Sequence, residues 1–181
     1  MKKLGLLSLI AFSIVLLTFT SCDKAEELAD ITFDATLSTD INATSVSETR
    51  GESYSFSGSA VVDPTSDPDI KEYWDNIKNF EIKKITVKVK EIAEQTNLLE
   101  GHLLVNDNNT QEELYTAAAE ALPLTPGTVI LTVTEGDWGK ITNALNNKHA
   151  LFTAVEGAID KPGIDIKFEV IIDLKVTANP L

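Results

Sequence analysis

The feature that most constrains this chain is its last long run, Ile164 to Thr177, where apolar and polar residues alternate almost without fault. Ile164, Ile166, Phe168, Val170, Ile172, Leu174 and Val176 point one way. Asp165, Lys167, Glu169, Asp173, Lys175 and Thr177 point the other, and only Ile171 breaks the polar set. A period of two is the strand period. At about 3.3 Å per residue the run spans roughly 40 Å. A strand that is wet on one face and dry on the other is the antiparallel kind, and its dry face needs a second layer to cover it.

The rest of the chain repeats the pattern in shorter pieces. Ile31, Phe33, Ala35 and Leu37 alternate with Thr32, Asp34, Thr36 and Ser38; Tyr54, Phe56, Gly58, Ala60 and Val62 alternate with Ser53, Ser55, Ser57 and Ser59. Arg50-Gly51-Glu52 before the second run reads as a turn. Further strands are expected at 80–92, 98–105, 128–133 and 149–157. Within 80–92 the apolar phase slips at Lys83-Lys84, which predicts a β-bulge. The outer face there holds Lys84, Lys88 and Lys90, placed to pair with the acids of the last strand.

Three short helices are expected between strands. Asp67-Pro68-Asp69 sets a cap residue before proline, followed by Ile70, Tyr73, Trp74 and Ile77 at helical spacing. Thr110-Gln111-Glu112-Glu113 is a capping box before Leu114, Tyr115, Ala117, Ala118, Ala121 and Leu122. Asp137 caps a third, with Trp138, Ile141, Ala144 and Leu145 on one face. The expected fold is all-β: an antiparallel, immunoglobulin-like β-sandwich of about seven strands over residues 31–181, with two or three short helices in the connections.

The first 30 residues have a different composition. Lys2 and Lys3 precede an uncharged apolar run from Leu4 to Phe19, and Thr20-Ser21-Cys22 closes it with small residues. These are the parts of a secretion signal, with the lysines held on the cytoplasmic side. Leu17-Thr18-Phe19-Thr20-Ser21-Cys22 resembles a bacterial lipobox, although Phe19 stands where leucine is commonest. The resemblance implies a signal peptide over 1–21 and lipidation of Cys22. A diacylglyceryl group would supply the two acyl chains that stable anchoring needs. A plain transmembrane anchor is the alternative, but the run is short for a span and ends at the cysteine. Residues 22–30 form a polar, acidic tether.

Cys22 is the only cysteine, so no disulfide can form within the chain. Cleavage after residue 21 would remove two lysines and no acid, taking the net charge from −13 to −15. That charge repels phosphate backbones and excludes nucleic acid as an expected partner.

Chemistry is sparse. His102 and His149 are the only histidines, and no Gly-x-Ser-x-Gly elbow accompanies them; Ser57-Gly58-Ser59 lies within a strand. Two distant histidines without a free cysteine make a poor zinc set. Gly136-Asp137-Trp138-Gly139-Lys140 lacks phosphate-loop spacing, and Asp137 would repel a phosphate. Asp63, Asp67 and Asp69 crowd one loop and are weak calcium candidates, with Asp107-Asn108-Asn109 a second weak one. The competing reading makes Asp67 a helix cap and both segments turns. Paired carboxylates carry no information among 28 acids. If the first two strands pair, Thr32, Thr36, Ser38, Ser53, Ser55, Ser57 and Ser59 share one hydroxyl-rich face. Residues 41–46 and 98–105 are the segments to inspect as exposed sheet edges.

Taken together, the Cys22 signal, the Tyr54–Val62 run followed by Asp67-Pro68-Asp69-Ile70, the Trp138 helix and the terminal Asn179-Pro180-Leu181 resemble a Bacteroidota lipoprotein family with a β-sandwich body and no assigned activity. The resemblance implies a protein held at the cell outer membrane by lipid on Cys22, on its periplasmic face or at the cell surface. It brings no catalytic residue and no cofactor. The expected function is a non-catalytic envelope module that binds a protein or glycan partner. The alternatives are a structural subunit of a surface assembly and an enzyme acting on envelope or nutrient polymers.

Overall fold

A computed structural model describes residues 30–47 and 53–179. The expected leader, Cys22, all of the expected tether but Asp30, the turn expected at 50–52 and the terminal Pro180-Leu181 lie outside those residues.

Ten strands form two antiparallel sheets among the described residues. In chain order they are β1 (Ile31–Thr44), β2 (Val46–Ser47), β3 (Tyr54–Val62), β4 (Ile77–Ile92), β5 (Thr96–Asp107), β6 (Glu113–Ala119), β7 (Leu122–Leu124), β8 (Val129–Val133), β9 (Leu151–Ile159) and β10 (Asp165–Ala178). One sheet has four strands in the order β1-β10-β4-β8. The other has six, running β2-β3-β9-β5-β6 with β7 also on β5.

The expected sandwich is present. Its connectivity is that of a jelly roll, in which the first long strand pairs with the last and the chain crosses between sheets. An immunoglobulin domain orders its strands differently. The shared face expected of the first two strands is therefore not formed: β1 pairs β10, β3 pairs β9, and the two hydroxyl rows belong to different sheets.

The terminal alternation does what its period dictates. Ile166, Phe168, Val170, Ile172, Leu174 and Val176 are all buried. β1 runs beside them in unbroken register from Ile31 opposite Ala178 to Thr44 opposite Asp165. On the other flank, the ladder shifts between Leu174, opposite Ile82, and Asp173, opposite Lys84. Lys83 is thus the extra residue of a bulge, where the sequence phase slips. Phe56 reaches across from β3 and stacks on Phe168, with ring centroids 5.5 Å apart.

The two long sides of the sandwich differ. Between β1 and β3 it is sealed, because Gly58 lets the strands touch: a Cβ there would lie 2.4 Å from the Asn42 carbonyl oxygen. Ser45 then carries the chain from one sheet to the other. Its hydroxyl donates to Lys161 O and accepts from Ile164 N, both at 2.9 Å, which ties the sheet-switching corner to the β9–β10 turn.

Two of the three expected helices exist. α1 (Pro68–Glu72) is capped by the Asp67 carboxylate, which accepts from Asp69 N and Ile70 N. It ends sooner than the spacing implies, because a 3-10 turn over Trp74–Asn76 leads Ile77 into β4. α2 (Gly139–Asn146) buries Ile141, Ala144 and Leu145 as expected. Trp138 takes the cap position and packs on Tyr115, with centroids 5.0 Å apart, while the expected cap residue Asp137 stands one place earlier and its Oδ1 accepts from Gly139 N at 3.2 Å. At the far end Lys148 adopts φ 65°, its ammonium 2.6 Å from Trp74 O and 4.7 Å over the Trp74 ring.

The helix expected at 110–122 is absent; the segment forms β6 and β7. Asp107 accepts from Asn109 N and Thr110 N, and Gln111 turns the chain at φ 61°, so Thr110 caps a hairpin turn and not a helix. Both strands then hydrogen-bond to β5, and tertiary pairing overrides the helix preference of the alanines.

Candidate functional site

The outer faces of the two sheets are built from different chemistry. On the four-stranded sheet the expected lysine–acid pairing is present. Lys84 meets Asp173 at 3.0 Å, Lys88 meets Glu169 at 2.6 Å, Lys90 meets Asp40 at 2.8 Å and Lys167 meets Glu91 at 3.0 Å. Lysines of β4 and β10 thus meet acids of β1, β10 and β4, with Lys88 and Lys90 beside the facing acids Asp40 and Glu169, so this face is an ion-pair lattice in water.

The outer face of the six-stranded sheet mixes small and hydroxyl-bearing side chains with the apolar pair Val61 and Phe152. One polar row crosses it. Ser57 on β3 stands opposite Glu156 on β9, which stands opposite His102 on β5, which stands opposite Ala118 on β6. Glu100 lies two residues back along β5. Beside this row the β1–β2 corner overhangs an open hollow of roughly 750 Å³, lined by Asn42, Thr44, Ser57, Glu100, His102 and Glu156 among others. On the inward side Gly157 stands opposite Gly101; a Cβ on Gly157 would lie 2.3 Å from Glu100 O and 2.9 Å from Phe56 Cζ, so glycine there lets β5 and the Phe56 ring approach.

The row cannot act as a nucleophilic triad. That relay needs the imidazole between the hydroxyl and the acid. Here Glu156 stands in the middle, and His102 is two strands, roughly 10 Å, from Ser57.

The remaining candidates from the sequence are separated or structurally occupied. Asp63 accepts from Thr65 N and Thr65 Oγ1, and Asp67 caps α1. Asp69 lies in the first turn of that helix. Among the described residues no group of three or more His, Cys, Asp or Glu side chains is arranged to hold a metal ion. Asp107 is buried, and its second oxygen lies 2.7 Å from His149 Nδ1. Burial pushes its carboxyl upward, but the bonds from His149, Thr110 and Asn109 outweigh that and hold it below the ordinary aspartate value. His149 therefore anchors a hairpin loop. Lys140, in the glycine-flanked segment, binds Glu112 at 3.1 Å. Residues 98–105 lie inside the six-stranded sheet, between β9 and β6, and are not an edge. Of residues 41–46, 41–44 end β1, an edge strand covered by β3, whereas Val46 is exposed on β2, the end strand of the six-stranded sheet.

Glu100 and Glu156 were not singled out by sequence reasoning. One signal pointed to their surroundings: no Lys or Arg occurs between Lys90 and Lys140, a stretch that supplies β5, β6 and β7.

The strand order and the two faces define the chain as a β-sandwich of jelly-roll order. No family model and no curated protein matches it. Among solved structures it is similar to the decameric BFDV capsid protein, at 10% identity and a TM-score of 0.43, over 82% of this chain and 99% of that one. It is also similar to infectious bursal disease virus, Gt strain, at 12% identity and a TM-score of 0.29, over 83% of this chain and 32% of that one. Among the described residues no helix is long and apolar enough to cross a membrane.

Proposed function

We propose that this chain is a lipid-anchored, non-catalytic module of the bacterial cell envelope, which presents the outer face of its six-stranded sheet to a partner. The observation that carries the reading is the direction of β1. The strand starts at Ile31, where the tether from Cys22 would join, and ends at Thr44, on the wall of the hollow. Its fourteen residues span roughly 45 Å. An anchor at Cys22 would therefore leave the hollow at the end of β1 remote from the bilayer. The ion-pair lattice supports the same reading, since the four-stranded sheet has its charges matched internally. The hydroxyl–acid–imidazole order, unfit for acyl transfer, supports a binding role over a hydrolytic one. The resemblance to Bacteroidota lipoproteins adds the outer membrane as the site.

Two measurements test this in intact cells. Cys22→Ser should release the protein from membranes or leave it unprocessed; a mature-size, membrane-bound variant refutes the anchor. A photo-crosslinking residue placed at position 102 should capture one partner, and the same residue at position 86, on the four-stranded sheet, should not. Equal capture from both positions, or from neither, refutes presentation of this face.

The structural-subunit reading has one observation in its favour. β8, Val-Ile-Leu-Thr-Val, is an uncharged edge strand whose Val129 is half exposed. A Leu131→Lys variant that disperses an otherwise ordered surface array would favour that reading.

A further inference from the structure

We infer that the hollow on the six-stranded sheet receives a lysine or arginine side chain from an extended segment of a partner protein. This rests on the presentation reading above and adds the partner's chemistry.

The charges are partitioned by sheet. The strands of the four-stranded sheet carry seven lysines and seven carboxylates, which cancel. The strands of the six-stranded sheet carry no Lys or Arg, and their acids are Glu100, Asp107, Glu113 and Glu156. Asp107 is occupied by His149 and its own turn, and Glu113 lies at the far end of β6. Glu100 and Glu156 remain, both exposed and both on the hollow. No lysine comes within ion-pair distance of either among the described residues, whereas Asp40, Glu91, Glu169 and Asp173 on the other sheet each meet a lysine.

Register places the two at a useful separation. His102 is opposite Glu156 and Glu100 is opposite Ala158, so the glutamates are diagonal neighbours, roughly 7 Å apart by strand geometry. A cation seated between them lies within reach of both carboxylates and relieves their mutual repulsion. An ammonium has three donors and a guanidinium five. Ser57, Asn42 and Thr44 line the same hollow with further acceptors. A protein side chain fits better than a sugar, because no Phe, Tyr or Trp ring is exposed in the hollow: Phe56 is 3% exposed and stacks inward on Phe168.

The test uses the full lipidated protein in detergent micelles and a synthetic acetyl-Ser-Lys-Ser-Lys-Ser-amide peptide. Its counterpart with glutamate for lysine, and free glucosamine, are the comparison probes. Calorimetry at low salt should find binding of the lysine peptide alone. The double variant E100Q/E156Q should weaken it at least tenfold while keeping the wild-type melting temperature, and Glu156→Lys should abolish it. Equal binding of the glutamate peptide, or an unchanged affinity in E100Q/E156Q, overturns the inference. Glucosamine binding as tightly as the peptide overturns the assignment to a protein partner. If position 102 captures a partner in cells while the peptide fails to bind, the cation inference falls and the presentation reading stands. If neither occurs, both fall.

Discussion

Asp160 joins the start of β5 to the end of β9. Its carboxylate accepts from Asn97 N at 2.9 Å, from Asn97 Nδ2 at 2.5 Å and from the Thr96 hydroxyl. The backbone bond from Asn97 contributes most to holding its pKa down, from 3.8 to about 2. A gap of that size is worth roughly 2.5 kcal/mol at 1.36 kcal/mol per unit. Asp160 is partly exposed, and solvent screening lowers the expected contribution to about 1–2 kcal/mol. The sign follows from the direction. A carboxyl whose folded value lies below its unfolded one stabilises the fold fully above about pH 4, and that stability drains away as pH falls through about 2. Asp160→Asn should therefore cost about 1–2 kcal/mol at pH 7, or roughly 2–8 °C in melting temperature for a domain of this size. Urea unfolding of both proteins at pH 7, 4 and 2 measures it. The two midpoints should draw together toward pH 2. A variant as stable as wild type at pH 7, or a gap that stays undiminished at pH 2, refutes the reasoning.

Three other changes probe the frame. Gly58→Ala sets a methyl 2.4 Å from Asn42 O and 2.7 Å from Ile41 Cγ2, so β1 and β3 must part; chemical denaturation should show a loss of about 1–3 kcal/mol. Ser45→Ala strands the Ile164 amide in a buried corner and removes the bond to Lys161 O. A loss of about 1–3 kcal/mol is expected, with faster amide exchange at Ile164. Lys88→Met breaks the contact to Glu169 on a wet face, so it should cost under about 1 kcal/mol, and melting in 0.5 M salt should shrink the difference.

Much of the frame is legible in the chain because strand periodicity is local. The alternation of Ile164–Thr177 marks the central strand of one sheet, and the slip at Lys83-Lys84 marks its bulge. Pairing of Lys84 and Lys88 with Asp173 and Glu169 follows once those two strands are adjacent. Asp67 before Pro68 marks a helix start, since a cap uses only its own next three residues. The 110–122 segment is the counterexample. Its capping box and alanines favour a helix locally, but β5 offers it a ladder, and a long-range partner leaves no local trace.

The candidate site was hidden for the same reason. Ser57, Glu156 and His102 are far apart in sequence and meet only because β3, β9 and β5 are neighbours in that order. The sequence by itself determined which residues alternate and that the body is β and acidic. Only the tertiary structure decided that first and last strands pair, that lysines gather on one sheet, and that two glutamates share a hollow. Periodicity is a property of one strand, but strand order is set by which apolar faces cover each other across the whole domain.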